Sequence, residues 1–204
     1  MIDALLLIFA RDTTWERIVR TQRGALYVLC VVLLPLLAVT SAAEGYGLAK
    51  WGRIGRIVGE RAYHIQFTPR EVVVFEAVQA GCSLVIILGG AKALKALCET
   101  FGGRHFFTPA FAALAYGLSP LFFLRILDIV PSLSVWIGWA IGIMLSLSAL
   151  YQGVPRMMRP DPSHAFGLFF MCALVMLVAT GALRFLTGLY LQGKLPQLQT
   201  LFAG

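Results

Sequence analysis

Five apolar runs, each about 20 residues long or longer, divide most of the chain between them, and they limit the possible folds more than any single motif does. A helix needs roughly 20 mostly apolar residues to cross about 30 Å of hydrocarbon. The runs fall at about 25–43, 71–92, 106–127, 132–152 and 165–191. Lipid offers a backbone no water to bond with, so each run is read as a helix. The expectation is an all-α membrane protein, a five-transmembrane-helix bundle occupying 25–192, with amphipathic interfacial segments and a short tail at 193–204. Composition agrees: 59 % of the 204 residues are hydrophobic and 13 % charged, and the mean hydropathy of +0.81 lies well above that of soluble domains. Met1–Ala10 carries Asp3 where a signal peptide needs basic residues, so no cleaved leader is expected.

The net charge is +7, but its basic residues are spread through the connections rather than gathered in one strip. That distribution suits membrane lipids with anionic headgroups and excludes nucleic acid as the expected partner. Within 1–24, Thr13 and Glu16 have capping-box spacing, and Trp15, Ile18 and Val19 share a face opposite Arg17, Arg20 and Arg23. This predicts a helix lying in the interface. The connection at about 44–70 sets Trp51, Ile54, Ile57 and Val58 against Lys50, Arg53, Arg56 and Arg61, a second basic amphipathic segment with a tryptophan anchor. Gly47, Gly52, Gly55 and Gly59 weaken a helix there. With the N-terminus inside, nine basic residues face inward and eight outward; leaving out that connection and Arg184, the ratio is nine to two. The positive-inside rule then predicts a cytoplasmic N-terminus and an outer C-terminus.

Small residues at four-residue spacing, Ala77 with Gly81, Ala113 with Gly117, and Gly138, Gly142 and Ser146, are expected to let helices approach closely. Cys30, Cys82, Cys98 and Cys172 have no metal-ligand or disulfide spacing and read as packing residues. His64, His105 and His164 stand singly, and neither a nucleophile elbow nor a phosphate loop is present, so no catalytic residue, metal or cofactor is expected. Ionisable groups at membrane depth are the functional candidates. Glu76, Gln79 and Ser83 lie at i, i+3 and i+7, a stripe that could line a proton or cation path, or that a nearby base could neutralise. Arg125 and Asp128, three apart, are expected to pair with each other, and Arg184 to snorkel to the headgroups or to serve as counter-ion to Glu76.

The stretch "ALYQGVPRMMRPDP" leaves the fourth run abruptly. Gly153 and Pro155 are expected to end the helix, with Pro160 and Pro162 holding the return chain extended. Arg156, Met157, Met158 and Arg159 would then form a soft basic surface, on the same side as Phe101, Gly102, Gly103 and Arg104 of an "FGGR" turn that calls for positive φ. Together with Tyr151, these residues are the candidate interaction face.

The order "FGGR" (101–104), "AYGLSP" (115–120), "VPSL" (130–133), "LYQGVPRMM" (150–158) and a final proline turn resembles the Yip family of Ypt/Rab-interacting-protein-type membrane domains, in its bacterial branch. The resemblance covers about 92–190 well and implies a five-span helical fold with a cytoplasmic N-terminus, in a bacterial inner membrane. For eukaryotic members it implies binding of Rab-type GTPases and of one another. The expected function is therefore that of a non-enzymatic membrane scaffold, membrane-shaping factor or partner-binding subunit, associating with other membrane proteins or with itself. The alternative is a small channel or transporter conducting along Glu76, Gln79 and Ser83.

Overall fold

The computed structural model describes residues 6–7, 11–55, 63–103, 106–131 and 133–192. A short helix α1 (Arg11–Thr21) precedes five long apolar helices: α2 (Ala25–Trp51), α3 (Pro69–Thr100), α4 (Phe107–Ile129), α5 (Val135–Met158) and α6 (Ala165–Leu191). Each of the five is long and apolar enough to cross a membrane. A small antiparallel ribbon, β1 (Arg53–Gly55) with β2 (Tyr63–Ile65), fills part of the connection after α2, with Arg53 opposite Ile65.

Local chemistry explains the irregular places. Pro35 has no N–H and its ring crowds the carbonyl one turn back. The helix answers with a π-helical stretch, Val28–Leu33, in which the Leu34 N–H reaches Leu29 O. α3 starts on a capping box: the Thr68 N–H donates to Glu71 Oε2 at 2.7 Å, the Glu71 N–H donates to Thr68 Oγ1 at 3.4 Å, and Pro69 takes the first helical position. α4 breaks at Leu118, ahead of Pro120. Pro120 cannot donate to Tyr116 O; the Ser119 hydroxyl does so instead, at 2.7 Å, while the Leu121 N–H donates to Ser146 Oγ of α5 at 3.1 Å.

α4 is the central helix. In its most apolar stretch 78 % of residues are buried, against 22 % for α6. Its run of alanines and Gly117 permits this, because a Cβ on Gly117 would strike the Leu150 side chain of α5. Gly142 likewise lies against Leu121, where a Cβ would come within 3.0 Å of the Leu121 Cα. The Ala77 and Gly81 row is different: both residues are exposed, and nothing lies within 4 Å of a Cβ on Gly81. The close approach on that side belongs to α2, where a Cβ on Gly47 would come within 2.9 Å of the Ile129 backbone.

Two expected boundaries move. The first span runs on through Glu44 to Trp51, and Gly52, at φ +63, stops the helix and turns the chain into β1. The described part of the connection is therefore a helix end and a ribbon, not an interfacial helix; 56–62 lie outside the described residues. α5 runs past Pro155 to Met158 and ends at Arg159, in the left-handed conformation with φ +46. Pro155 has no N–H to give Tyr151 O, so the last turn of α5 forgoes one helical hydrogen bond.

Candidate functional site

Two turns in from the end of the bundle opposite α1, six charged side chains meet. α2 brings Glu44, α3 Glu76, the last turn of α4 Arg125 and Asp128, β1 Arg53, and α6 Arg184, all of them buried. Three carboxylates face three guanidiniums. Arg125 donates to Glu44 Oε2 through Nε at 3.1 Å and Nη2 at 2.8 Å, and Nη2 also donates to Glu76 Oε2 at 3.0 Å. With its amide oriented so that oxygen faces the guanidinium, Gln79 accepts from the same Nε at 3.3 Å and Nη2 at 3.2 Å. Arg184 binds Asp128 and donates to Val135 O at the start of α5, at 2.9 Å from Nε. Arg53 closes the group, donating to Asp128 O at 2.9 Å and Leu133 O at 3.0 Å, with Asp128 Oδ1 at 4.0 Å. Burial pulls the Arg53 pKa below its ordinary value, against the opposing pull of Asp128 and Glu44.

This arrangement corrects three expectations. Arg125 and Asp128 do not neutralise one another: Arg125 turns to Glu44 and Glu76, and Asp128 to Arg184 and Arg53. Arg184 does not snorkel, since it is 5 % exposed, and the counter-ion of Glu76 is Arg125. A buried ion needs an oppositely charged partner at hydrogen-bonding distance, and the neighbouring helices supply better ones than a residue three positions away.

The stripe of Glu76, Gln79 and Ser83 does face the interior, and all three residues are buried. Their bonds are local. Glu76 is held by Arg125, and the Ser83 hydroxyl donates back to Gln79 O at 2.8 Å. Beside them is a cavity of about 40 Å³, lined by Gln79, Ser83, Arg125, Trp139, Thr180 and Arg184 among others. That volume holds a few waters at most.

The other candidate lies at the α1 end. Gly102 and Gly103 lie against the end of α5 and the turn after it, and Phe101 against the start of α6, edge-on to His164: Gly102 has φ +67, and a Cβ on it would strike the Asp161 carboxylate, while one on Gly103 would come within 3.2 Å of Met158 O. Arg104 lies outside the described residues. Met157 and Met158 are buried, so they are core rather than soft surface. Gly153 is not the helix exit; it makes room for Trp15 of α1, whose indole is fully buried against it. Pro155 stays within the helix. Arg156 reaches back to α1, donating to Asp12 Oδ1 at 2.6 Å and Asp12 O at 3.2 Å. Tyr151 and Arg159 are exposed, Tyr151 with its ring edge-to-face on Phe169.

Sequence reasoning missed Glu44 and Arg53, having drawn the first span too short. The signal was available: Leu36, Thr40, Glu44 and Leu48 repeat every four residues, and all four are buried.

A five-span helical membrane protein, pinned at one end by buried ion pairs, is the class this architecture defines. The family model of the Yip1 domain matches residues 5–183, and the chain belongs to that family. No curated protein and no solved structure matches it.

Proposed function

We propose that this Yip-family protein is a non-enzymatic scaffold or partner-binding subunit of a membrane complex, working through the end of the bundle that carries α1. In this reading it sits in a bacterial inner membrane with that end cytoplasmic and its C-terminus outside, where the positive-inside count puts them. The observation that supports it best is the way α1 is fastened. Trp15 is seated on Gly153, and Asp12 is bound to Arg156, so α1 and the end of α5 form one surface on which Arg20, Arg159 and Tyr151 are exposed. A fixed basic surface suits recognition of another membrane component. The channel alternative gains nothing from Glu76, whose carboxylate is engaged by Arg125 at 3.0 Å.

The test is gentle purification of the tagged protein from its own membrane, with mass spectrometry of what remains bound. A stoichiometric protein partner, lost in the Arg156→Ser/Arg159→Ser double variant, is the expected result. Recovery of the protein with lipid alone, together with ion flux in proteoliposomes that Glu76→Gln abolishes, would reverse the reading in favour of conduction.

A further inference from the structure

The helices α3, α4, α5 and α6 close into a ring, for α4 and α6 each pack on both α3 and α5. The cavity of about 40 Å³ lies inside that ring, and all four helices line it: Ser83 stands on α3, Arg125 on α4, Trp139 on α5, and Thr180 and Arg184 on α6. A cavity can hold a water once it exceeds about 10–15 Å³ and offers two to four polar partners. This one has the room, and its wall chemistry decides what fits.

Two donors among the lining residues have nothing in the protein to bond. Nη1 of Arg125 and Nε1 of Trp139 are both buried with no hydrogen-bond partner among the described residues. Arg125 spends Nε and Nη2 on Glu44 and Glu76, which leaves Nη1 over. A buried donor without an acceptor bears its full desolvation penalty, and lipid supplies no acceptor from outside. Two hydroxyls have the opposite capacity. Ser83 Oγ donates to Gln79 O at 2.8 Å, and Thr180 Oγ1 donates to Met176 O at 2.7 Å. With its single hydrogen engaged, each hydroxyl has only lone pairs left to offer.

The ligand that matches this wall accepts two hydrogen bonds and donates two. A halide would take the N–H groups but face the lone pairs of both hydroxyls. It would also add uncompensated charge beside three carboxylates and three guanidiniums that already balance. A cation would meet Arg125 and Arg184, with no carboxylate among the lining residues. Water has the required valence and no charge.

We propose that this cavity binds an ordered water that accepts from Arg125 Nη1 and Trp139 Nε1 and donates to Ser83 Oγ and Thr180 Oγ1. One molecule then joins all four helices of the ring and completes the hydrogen bonding of Arg125 at membrane depth. The site lies apart from the α1 end and does not depend on the proposed function.

The experiment uses the full chain in lipid nanodiscs with isotopically labelled tryptophan indoles, the Trp139 signal being assigned from Trp139→Phe. Wild type is expected to show a nuclear Overhauser cross-peak between the Trp139 indole N–H and water, with the sign given by a long-lived internal water. Thr180→Val, which trades a hydroxyl for a methyl, combined with Ser83→Ala should abolish that cross-peak. Absence of the cross-peak in wild type, the opposite sign that marks passing surface water, or an undiminished cross-peak in the Ser83→Ala/Thr180→Val variant would overturn the proposal. A saturable shift of the Trp139 signal when chloride replaces gluconate would overturn it in favour of an anion. The cross-peak, its sign and the chloride titration all use wild type, so the proposal is decided even if the double variant fails to fold.

Discussion

Replacing Arg125 by methionine should damage the protein more than any other single change to its charged groups. Its guanidinium is 8 % exposed and holds two carboxylates, Glu44 at 2.8 Å and Glu76 at 3.0 Å. Arg125→Met keeps most of the side-chain length but leaves both carboxylates buried without their shared cation. Breaking a buried pair from one side costs about 3–5 kcal/mol. At about 2–4 °C per kcal/mol for a chain of this size, the melting temperature should fall by roughly 10 °C. The compensated variant, Arg125→Met with Glu44→Gln and Glu76→Gln, removes all three charges together and should recover to within about 2 kcal/mol of wild type, because a neutral group of similar volume escapes the desolvation penalty. Cys98 and Cys172 are buried and supply the assay: with Cys30 and Cys82 changed to serine, a thiol-reactive fluorophore reports unfolding on heating. A loss below about 1 kcal/mol for Arg125→Met, or a compensated variant as unstable as the single one, would refute the view that these ions are held by mutual pairing.

Two further changes address packing. Gly153→Leu places a side chain where the Trp15 indole lies and should lift α1 from the bundle at a cost of about 1–3 kcal/mol; faster tryptic cleavage after Arg17 and Arg20 is the readout, and an unchanged cleavage rate would show that α1 is not seated there. Ser146→Ala strips the Leu121 N–H of its acceptor and should cost about 1–3 kcal/mol in the same thermal assay, whereas a neutral result would mean that the broken turn of α4 satisfies itself.

The five spans were legible because lipid enforces a simple rule: a long apolar run has no stable form in hydrocarbon except a helix or a closed barrel. Positive φ at the "FGGR" turn was legible for an equally local reason, since only glycine is comfortable there. Partners across the bundle were not. Arg125 and Asp128 stand three apart, which suggests a local pair, yet each is aimed at a different helix; that choice depends on how α2, α3 and α6 pack and leaves no mark in the spacing. Gly153 looked like the end of a helix because glycine before proline usually is one, while its actual neighbour, Trp15, lies more than a hundred residues earlier. Met157 and Met158 between two arginines suggested surface, but on a helix consecutive residues point in different directions, and here the methionines face inward. The motifs that carried the family resemblance prove largely to be points of close packing: Gly102 at a tight turn, Ser119 completing a bond that proline cannot make, Gly153 under an indole.

The six-charge cluster also orders events during synthesis. Glu44 and Glu76 enter the bilayer on the first two spans, before the ribosome has made Arg125, and Asp128 arrives well before Arg184. Until the fifth span is released, part of the cluster is short of a counter-ion, and water or the insertion machinery must shelter it. A chain stopped before residue 184 would contain four complete candidate spans and still hold three carboxylates against two guanidiniums. Arg184, on the last helix, is the residue that brings the cluster's charges into balance, so only a chain that includes that helix closes its own charge.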